Sequence, residues 1–333
     1  AQSYRDGAIS QRTRRPHAER RPERAYRSRA KRAMRRRLAA IVNPVSGRYN
    51  MMPTVRRIGG EIARAGGYLD IRTTEGLGHA TVLAAELAAE SDAILIVGGD
   101  GTVCEVVNGL IDNPIPMAIL RTGTENLLAH ELMMPAEPPS MARTLLHGTA
   151  HAFDVGVING RRFLAVAGAG FDAECVLQMS RVRTGHITHG DYFWPIWRAL
   201  WSYQYPELKV EVDDQGVFEG RGFAILGIIG RYSLGMRILH RAEYDDGLLD
   251  ICVFPCANRR QLAAHAVRIL LHQHTDRRRT LYHQGKRIRI TSNTSVPLQV
   301  DGDAGGELPA TCSILPSAVQ FLKRLRPPAE LVE

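Results

Sequence analysis

At 333 residues the chain has room for about two domains. Its 44% apolar and 23% charged residues supply a core of matching size and exclude wholesale disorder, and no apolar run reaches the length of a membrane-spanning helix. The net charge of +9 is unevenly placed: residues 1–37 hold 14 Lys and Arg against 3 acids, a net of +11, which leaves −2 for the remainder.

That first stretch has no apolar period, so residues 1–37 are expected to form a disordered basic arm. Its charge suits an electrostatic tether to anionic lipid or nucleic acid. The plainer reading is a solvated tail, with Met34 as an alternative start. The arm lacks the apolar segment of a secretory signal, and Asp6, Glu19 and Glu23 weaken an organellar transit peptide. Five scattered cysteines follow no disulfide or zinc spacing and fit a reduced compartment.

From Leu38 onward strands alternate with helices. Leu38–Asn43 reads as an apolar strand, Val55–Ala65 as a helix, Tyr68–Thr74 as an alternating strand and Ala80–Ala89 as a helix. A fully buried strand at Ala93–Val97 leads to a helix over Thr102–Ile111, an extended Pro116–Leu120 and a helix over Glu125–Met133. Residues 38–150 are therefore predicted to form a mostly parallel sheet with helices on both faces, its ligand beyond the carboxyl ends of the strands.

After residue 150 strands dominate: Phe153–Ile158, Arg162–Ala167, Leu208–Val212, Phe223–Ile229, Leu248–Val253, Arg287–Thr291, Pro297–Val300 and Cys312–Leu315. Gly, Asn and Asp turns between them predict an antiparallel sandwich over 151–325, the final strand being free to return to the first domain. Helices are expected within it at Asp172–Arg181, Tyr192–Tyr203 and Arg259–His272.

Gly98-Gly99-Asp100-Gly101-Thr102 ends the buried strand and opens a helix. Glycines let backbone amides approach a bound group, and a helix N-terminus favours anions. An acid so close to an anion calls for a cation or a proton, which suggests a nucleotide phosphate with magnesium. A purely structural turn is the alternative. Asn43-Pro44-Val45-Ser46-Gly47 closes the first strand, and Gly123-Thr124-Glu125-Asn126 follows the fourth. Three such turns on one edge of a parallel sheet describe a nucleotide site, although the Gly-x-x-x-x-Gly-Lys-Ser/Thr element is lacking.

With Glu105 and Asn108, these three turns resemble the diacylglycerol kinase catalytic family, which includes bacterial lipid kinases and sphingosine kinases. The resemblance continues through Phe163–Asp172, Asp245-Asp246-Gly247-Leu248-Leu249-Asp250 and Asp301-Gly302-Asp303, and spans about Leu38–Leu325. It implies an NAD kinase/diacylglycerol kinase-like α/β architecture of two domains, a Rossmann-like nucleotide domain and a β-sandwich domain carrying a lipid pocket. The implied activity is ATP-dependent phosphorylation of a lipid hydroxyl, with diacylglycerol the first candidate and phosphatidic acid its product.

Carried over by position, Asn43, Ser46, Thr74, Gly98, Gly99, Asp100, Gly101, Thr102 and Thr124 would hold ATP, and Glu105 would support the phosphate turn. Asp246 would fix Mg2+, with backbone carbonyls near Glu243 and Leu248. Asp303 would take the proton of the lipid hydroxyl; Asp100, expected to hold magnesium through water, is the second candidate base. The chain departs from the family at Arg121 and His240, where proline is common, and at Tyr232-Ser233-Leu234-Gly235, where the turn is usually richer in glycine. Asp303 is also one methylene shorter than the glutamate of the bacterial branch, about 1.5 Å in reach.

The expected partners are ATP and a lipid at a membrane surface, with the arm touching anionic lipid, no specific nucleic acid, and a homodimer left open. The implied location is cytoplasmic and peripheral to a membrane. A soluble-substrate kinase of the NAD kinase type and a catalytically silent lipid- or nucleic-acid-binding protein stay open as alternatives. Asp245–Asp250 and Asp301–Asp303 favour the lipid branch over the first, and Asp100, Thr102 and Asp246 argue against the second. Hairpin chemistry alone is a competing explanation of Asp245, Asp246 and Asp301. Trp194, Trp197 and Trp201, spaced three and four, are assigned first to the core and second to an interfacial face; His265, His272 and His274 are assigned to surface or packing.

Overall fold

The computed structural model describes residues 34–47, 49–123, 125–182, 193–271, 273–274 and 279–323. Thr124, His272 and the basic arm up to residue 33 fall outside them.

The arm was expected to reach residue 37, but the fold takes in its last residues. Met34 packs on the core, and the Arg35 guanidinium donates to the carbonyls of Leu145 and Gly148 at 3.2 and 3.1 Å. The Asp92 carboxylate accepts the N–H groups of Arg36 and Arg37 at 2.8 and 3.0 Å. With these partners the first strand, β1, opens at Arg37 and runs to Val42.

Strands β1, β2 (Tyr68–Thr73), β3 (Ala93–Gly98) and β4 (Met117–Arg121) are parallel, in the spatial order β2-β1-β3-β4. All six residues of β3 are buried, which is why it reads as an unbroken apolar run. Helices α1 (Met52–Arg64), α2 (His79–Ala88), α3 (Asp100–Leu110), α4 (Leu127–Glu131) and α5 (Pro138–His147) connect and cover these strands, α1 packing with α5 and α2 with α3. The chain leaves β1 in one direction for β2 and then crosses to the other side for β3. That reversal opens a crevice at the carboxyl ends of β1 and β3.

The second half is antiparallel. It contains β5 (Thr149–Ile158), β6 (Arg161–Phe163), β7 (Val166–Ala169), β8 (Glu207–Val212), β9 (Gln215–Gly227) and β10 (Leu249–Pro255), then β11 (Leu281–Gly285), β12 (Arg287–Thr291), β13 (Pro297–Val300), β14 (Asp303–Glu307) and β15 (Ala310–Lys323). Helices α6 (Phe171–Val182), α7 (Phe193–Ser202) and α8 (Arg259–Leu270) are inserted among them. β15 pairs antiparallel with β5 and parallel with β4, through Phe321 and Met117, so one strand path runs from β2 to β14. The boundary expected at 150/151 falls inside β5, because Thr149 and Ala150 already pair with Lys323 and Leu322.

The tryptophans overturn their first assignment. Helix α7 buries its small residues, Pro195 and Ala199, and leaves Trp194, Trp197 and Trp201 exposed. His265 and His274 are buried, each donating through Nε2 to a backbone carbonyl, that of Pro255 and that of Ile238.

Candidate active site

Three turns meet where β1, β3 and β4 end. Gly47 has φ +82°, and a Cβ there would lie 2.1 Å from the carbonyl oxygen of Thr122. A Cβ on Gly123 would lie 3.2 Å from Cα of Gly99, and one on Gly98 would lie 2.5 Å from Cβ of Thr102. The turns therefore touch through backbone at Gly47 and Gly123, while Gly98 leaves room for the Thr102 side chain of its own turn. Side chains fasten them: Ser46 Oγ and Thr122 Oγ1 share a hydrogen bond of 2.7 Å, and Asn43 Nδ2 donates to Thr102 Oγ1 at 3.0 Å. Thr74 sits at the end of β2, mostly buried, its N–H donating to Val42 at 2.9 Å. Above Gly101 a Cβ would meet nothing within 4 Å, so the first turn of α3 faces open space.

Asp100 has a partner that the sequence did not reveal. Its carboxylate accepts the N–H of Leu127 at 3.0 Å and of Leu128 at 3.2 Å, capping α4. Burial raises its pKa, these two donors pull it down, and the charge of Glu125 raises it again. Each oxygen takes one of these N–H groups and keeps a second lone pair, the one that the water-mediated magnesium contact expected of Asp100 would use. Glu105 links α3 to the helix beside it. Its Oε2 accepts the N–H of Ala80 at 3.2 Å and its carbonyl accepts Thr81 Oγ1 at 2.9 Å, which braces the start of α2.

Opposite lies the hairpin joining β13 to β14. Asp301 and Gly302 have φ of +50° and +83°, the two-residue turn that Asp-Gly favours. The Asp301 carboxylate also accepts three N–H groups, from Leu164, Ala165 and Val166, at 2.8, 2.9 and 3.1 Å. Burial pushes it up to about 6, with the charge of Asp100 adding to the shift, so the hairpin is within electrostatic reach of Asp100. The same charges bear on α3: Cys104 is pushed up to about 12 by burial and by Asp301, which keeps it a thiol.

Asp303 opens β14, is exposed, and forms an ion pair with Arg161 at 3.1 Å; Arg161 also donates to the carbonyl of Ala304 at 3.0 Å. Arg162 reaches back to α3, donating to Asn108 Oδ1 at 3.1 Å. These two arginines were missed. The available signal was a pair of cations at the mouth of a predicted apolar strand.

The Asp245–Gly247 turn has its own neighbours on β5 and β15. Asp154, fully buried, accepts the N–H of Gly247 at 2.7 Å and of Ser317 at 2.6 Å. Asp246 Oδ1 accepts the N–H of Leu248 at 2.9 Å. Burial raises the pKa of Asp246, and Asp154, Glu243 and Asp245 add repulsion. Among the described residues, no three His, Cys, Asp or Glu side chains converge as a cage for a metal ion. One carboxylate with backbone carbonyls and water is a hard-oxygen set that suits Mg2+, and the mutual repulsion at Asp246 is what a cation would relieve.

The fold and these turns define a nucleotide-dependent phosphotransferase. A family model described as the diacylglycerol kinase catalytic domain matches residues 37–158, and one described as the YegS C-terminal NAD kinase beta sandwich-like domain matches residues 165–323. The diacylglycerol kinase of Bacillus subtilis (strain 168) is 29% identical over 282 residues, covering 82% of this chain and 92% of that protein. The diacylglycerol kinase of Staphylococcus saprophyticus is 28% identical over 280 residues, covering 83% and 92%. A crystal structure of a diacylglycerol kinase from Bacillus anthracis str. Sterne shares the fold at TM-score 0.66 and 21% identity, over 87% of this chain and 97% of that one. The chain belongs to the diacylglycerol kinase catalytic family. It is a two-domain ATP-dependent kinase with an alcohol group as acceptor.

Proposed function

We propose that this kinase phosphorylates a lipid hydroxyl, diacylglycerol before other lipids, at a membrane surface. The observation that carries the reading is the placement of the Asp301–Asp303 hairpin beside the glycine turns: Arg162 bonds Asn108 of α3, Leu164 donates to Asp301, and the charge of Asp100 reaches Asp301. Residues 38–150 would bind the nucleotide and 151–325 the acceptor. Asn43, Ser46, Thr74 and Gly98–Thr102 line the nucleotide side in this reading, the open space over Gly101 receiving phosphate, and Thr124, outside the described residues, is proposed to bind the nucleotide with them. Glu105 acts at one remove, through the start of α2.

In the transfer, the acceptor oxygen forms a bond to the γ-phosphorus as the bond to the β-phosphate oxygen breaks and ADP leaves. The hydroxyl proton goes to Asp303, which must first exchange its Arg161 partner for the substrate. Asp100 holds α4 in place and is the second candidate for the proton. A structural Mg2+ would be held by Asp246 with carbonyls near Glu243 and Leu248, relieving the repulsion from Asp154, Glu243 and Asp245, and a magnesium held through water by Asp100 would balance charge on the transferred group. Among the described residues no helix is long and apolar enough to cross a membrane, so the enzyme would meet its lipid peripherally, with the basic arm as an electrostatic tether.

Purified protein with labelled ATP and a panel of diacylglycerol, ceramide, sphingosine and phosphatidylglycerol tests this. Label should enter diacylglycerol first. Transfer to a soluble acceptor such as NAD, with every lipid left unlabelled, would overturn the reading.

A further inference from the structure

Helices α7 and α8 carry an exposed apolar face. A surface helix normally turns its large apolar side chains inward. Helix α7 does the reverse: Trp194, Trp197 and Trp201 are 62%, 45% and 53% exposed while Pro195 and Ala199 are buried. At spacings of three and four the three indoles share one side of the helix. Beside it, α8 buries Leu262, His265 and Ile269 and leaves a second apolar stripe, Ala263, Ala266, Val267 and Leu270, exposed. Arg259 joins the helices, its guanidinium stacked 4.4 Å from the Trp201 ring and donating to the Trp201 carbonyl at 3.1 Å.

Charge selects the occupant. Arg198, Arg259, Arg260 and Arg268 lie on these helices, and neither helix carries an acid. Exposed indoles with arginines and no acid match the boundary of an anionic bilayer, where Trp finds both an apolar and a polar medium. The face is also coupled to the reaction centre. Helix α7 packs on α6, and Ser202 donates to Glu174 of α6 at 3.4 Å. At the start of α6, buried Asp172 accepts Gln299 Nε2 at 2.7 Å, and Gln299 in turn accepts the N–H of Gly302 in the acceptor hairpin at 2.9 Å.

We propose that the exposed face of α7, extended by α8, docks the enzyme on an anionic membrane surface. The proposal rests on the lipid-kinase reading, deepens it, and can fail separately from it. All three tryptophans of the chain lie on α7, so intrinsic fluorescence reports this helix alone. The test uses the full chain with vesicles of phosphatidylcholine containing about one-third phosphatidylglycerol, with and without brominated acyl chains.

Emission should shift to the blue on binding, and brominated lipid should quench it. The double variant Trp194→Gln/Trp201→Gln keeps Trp197 as reporter. It should lose about tenfold or more in partitioning. That loss should persist at about 1 M salt, where a Debye length of about 3 Å removes the basic arm's contribution. Its turnover on diacylglycerol dispersed in detergent should match the parent. Vesicle-bound protein with unshifted, unquenched tryptophan would overturn the proposal, as would equal partitioning of parent and variant at high salt. So would a vesicle-independent dimer, seen by sedimentation and abolished in the variant, since a second copy would then cover the face. If the parent docks through α7 but phosphorylates no lipid, the kinase reading fails and the docking face stands.

Discussion

Around Gly47, Gly98 and Gly123 the site is made of backbone with side chains removed, whereas around Asp301 and Asp303 it is made of charged side chains held by distant donors. On the side proposed for the nucleotide a Cβ at Gly47 or Gly98 would strike a neighbour at 2.1 or 2.5 Å. On the acceptor side Asp301 is fixed by Leu164–Val166 and Asp303 is paired with Arg161, more than a hundred residues away. The two constructions fail differently. Adding atoms should damage the first, and removing charge should damage the second.

The largest effect is expected on the acceptor side. Asp303→Asn removes the proposed proton acceptor but only an exposed ion pair from the fold, and exposed pairs contribute about 0–1 kcal/mol. Turnover should fall about 10²–10⁴-fold while nucleotide affinity and Tm barely move. Steady-state kinetics beside nucleotide titration checks this; comparable losses in affinity and turnover would make Asp303 a structural or metal-linked residue. Next comes the nucleotide side. Gly47→Ala combines a left-handed backbone with a backbone clash at Thr122, and should cost about 3 kcal/mol with loss of nucleotide binding. A Tm unchanged from the parent would show that the turns do not meet as described.

The same division governs what could be read in advance. The glycine turns are local in sequence, and β1 and β3 are nearly pure apolar runs, so the crevice between them was legible from Leu38 and Ala93 onward. Helix α5 was not, because its opening Pro138-Pro139 looks like a loop although proline suits the first turn of a helix. Strands β11 and β14 were hidden by His, Gln and Gly, residues that join a sheet here only through their neighbours. Asp154, Arg161 and Arg162 escaped for a physical reason. Their partners, Ser317, Asp303 and Asn108, are brought near only by tertiary structure.

A smaller effect concerns pH. The Asp301 carboxyl, ordinarily at 3.8, is pushed up to about 6 by burial, so the native state holds its proton more tightly than the unfolded chain. Its contribution to stability is complete below about pH 4 and lost as pH rises to about 6, on the order of 3 kcal/mol. Asp250, also pushed to about 6 by burial, titrates in the same window. Asp301→Asn should therefore make the fall in Tm between pH 4 and 6 shallower but not flat, on top of a constant loss from its poorer acceptor geometry. An identical slope in parent and variant would assign the whole effect to other groups.

Gly101→Ala should produce the smallest change in the fold and the most informative one in the site. Gly101 lies in the first turn of α3, its φ is not in the left-handed region, and a Cβ there meets nothing within 4 Å. Alanine favours a helix over glycine by about 0.5–1 kcal/mol, so the variant should be slightly more stable than the parent. The same methyl would project into the space proposed for phosphate, above amides that suit an anion. Tm should rise a little while nucleotide affinity falls, a combination that damage to the fold cannot produce. If affinity holds as Tm rises, the phosphates do not lie over α3, and the nucleotide must be placed nearer the Asn43–Gly47 turn.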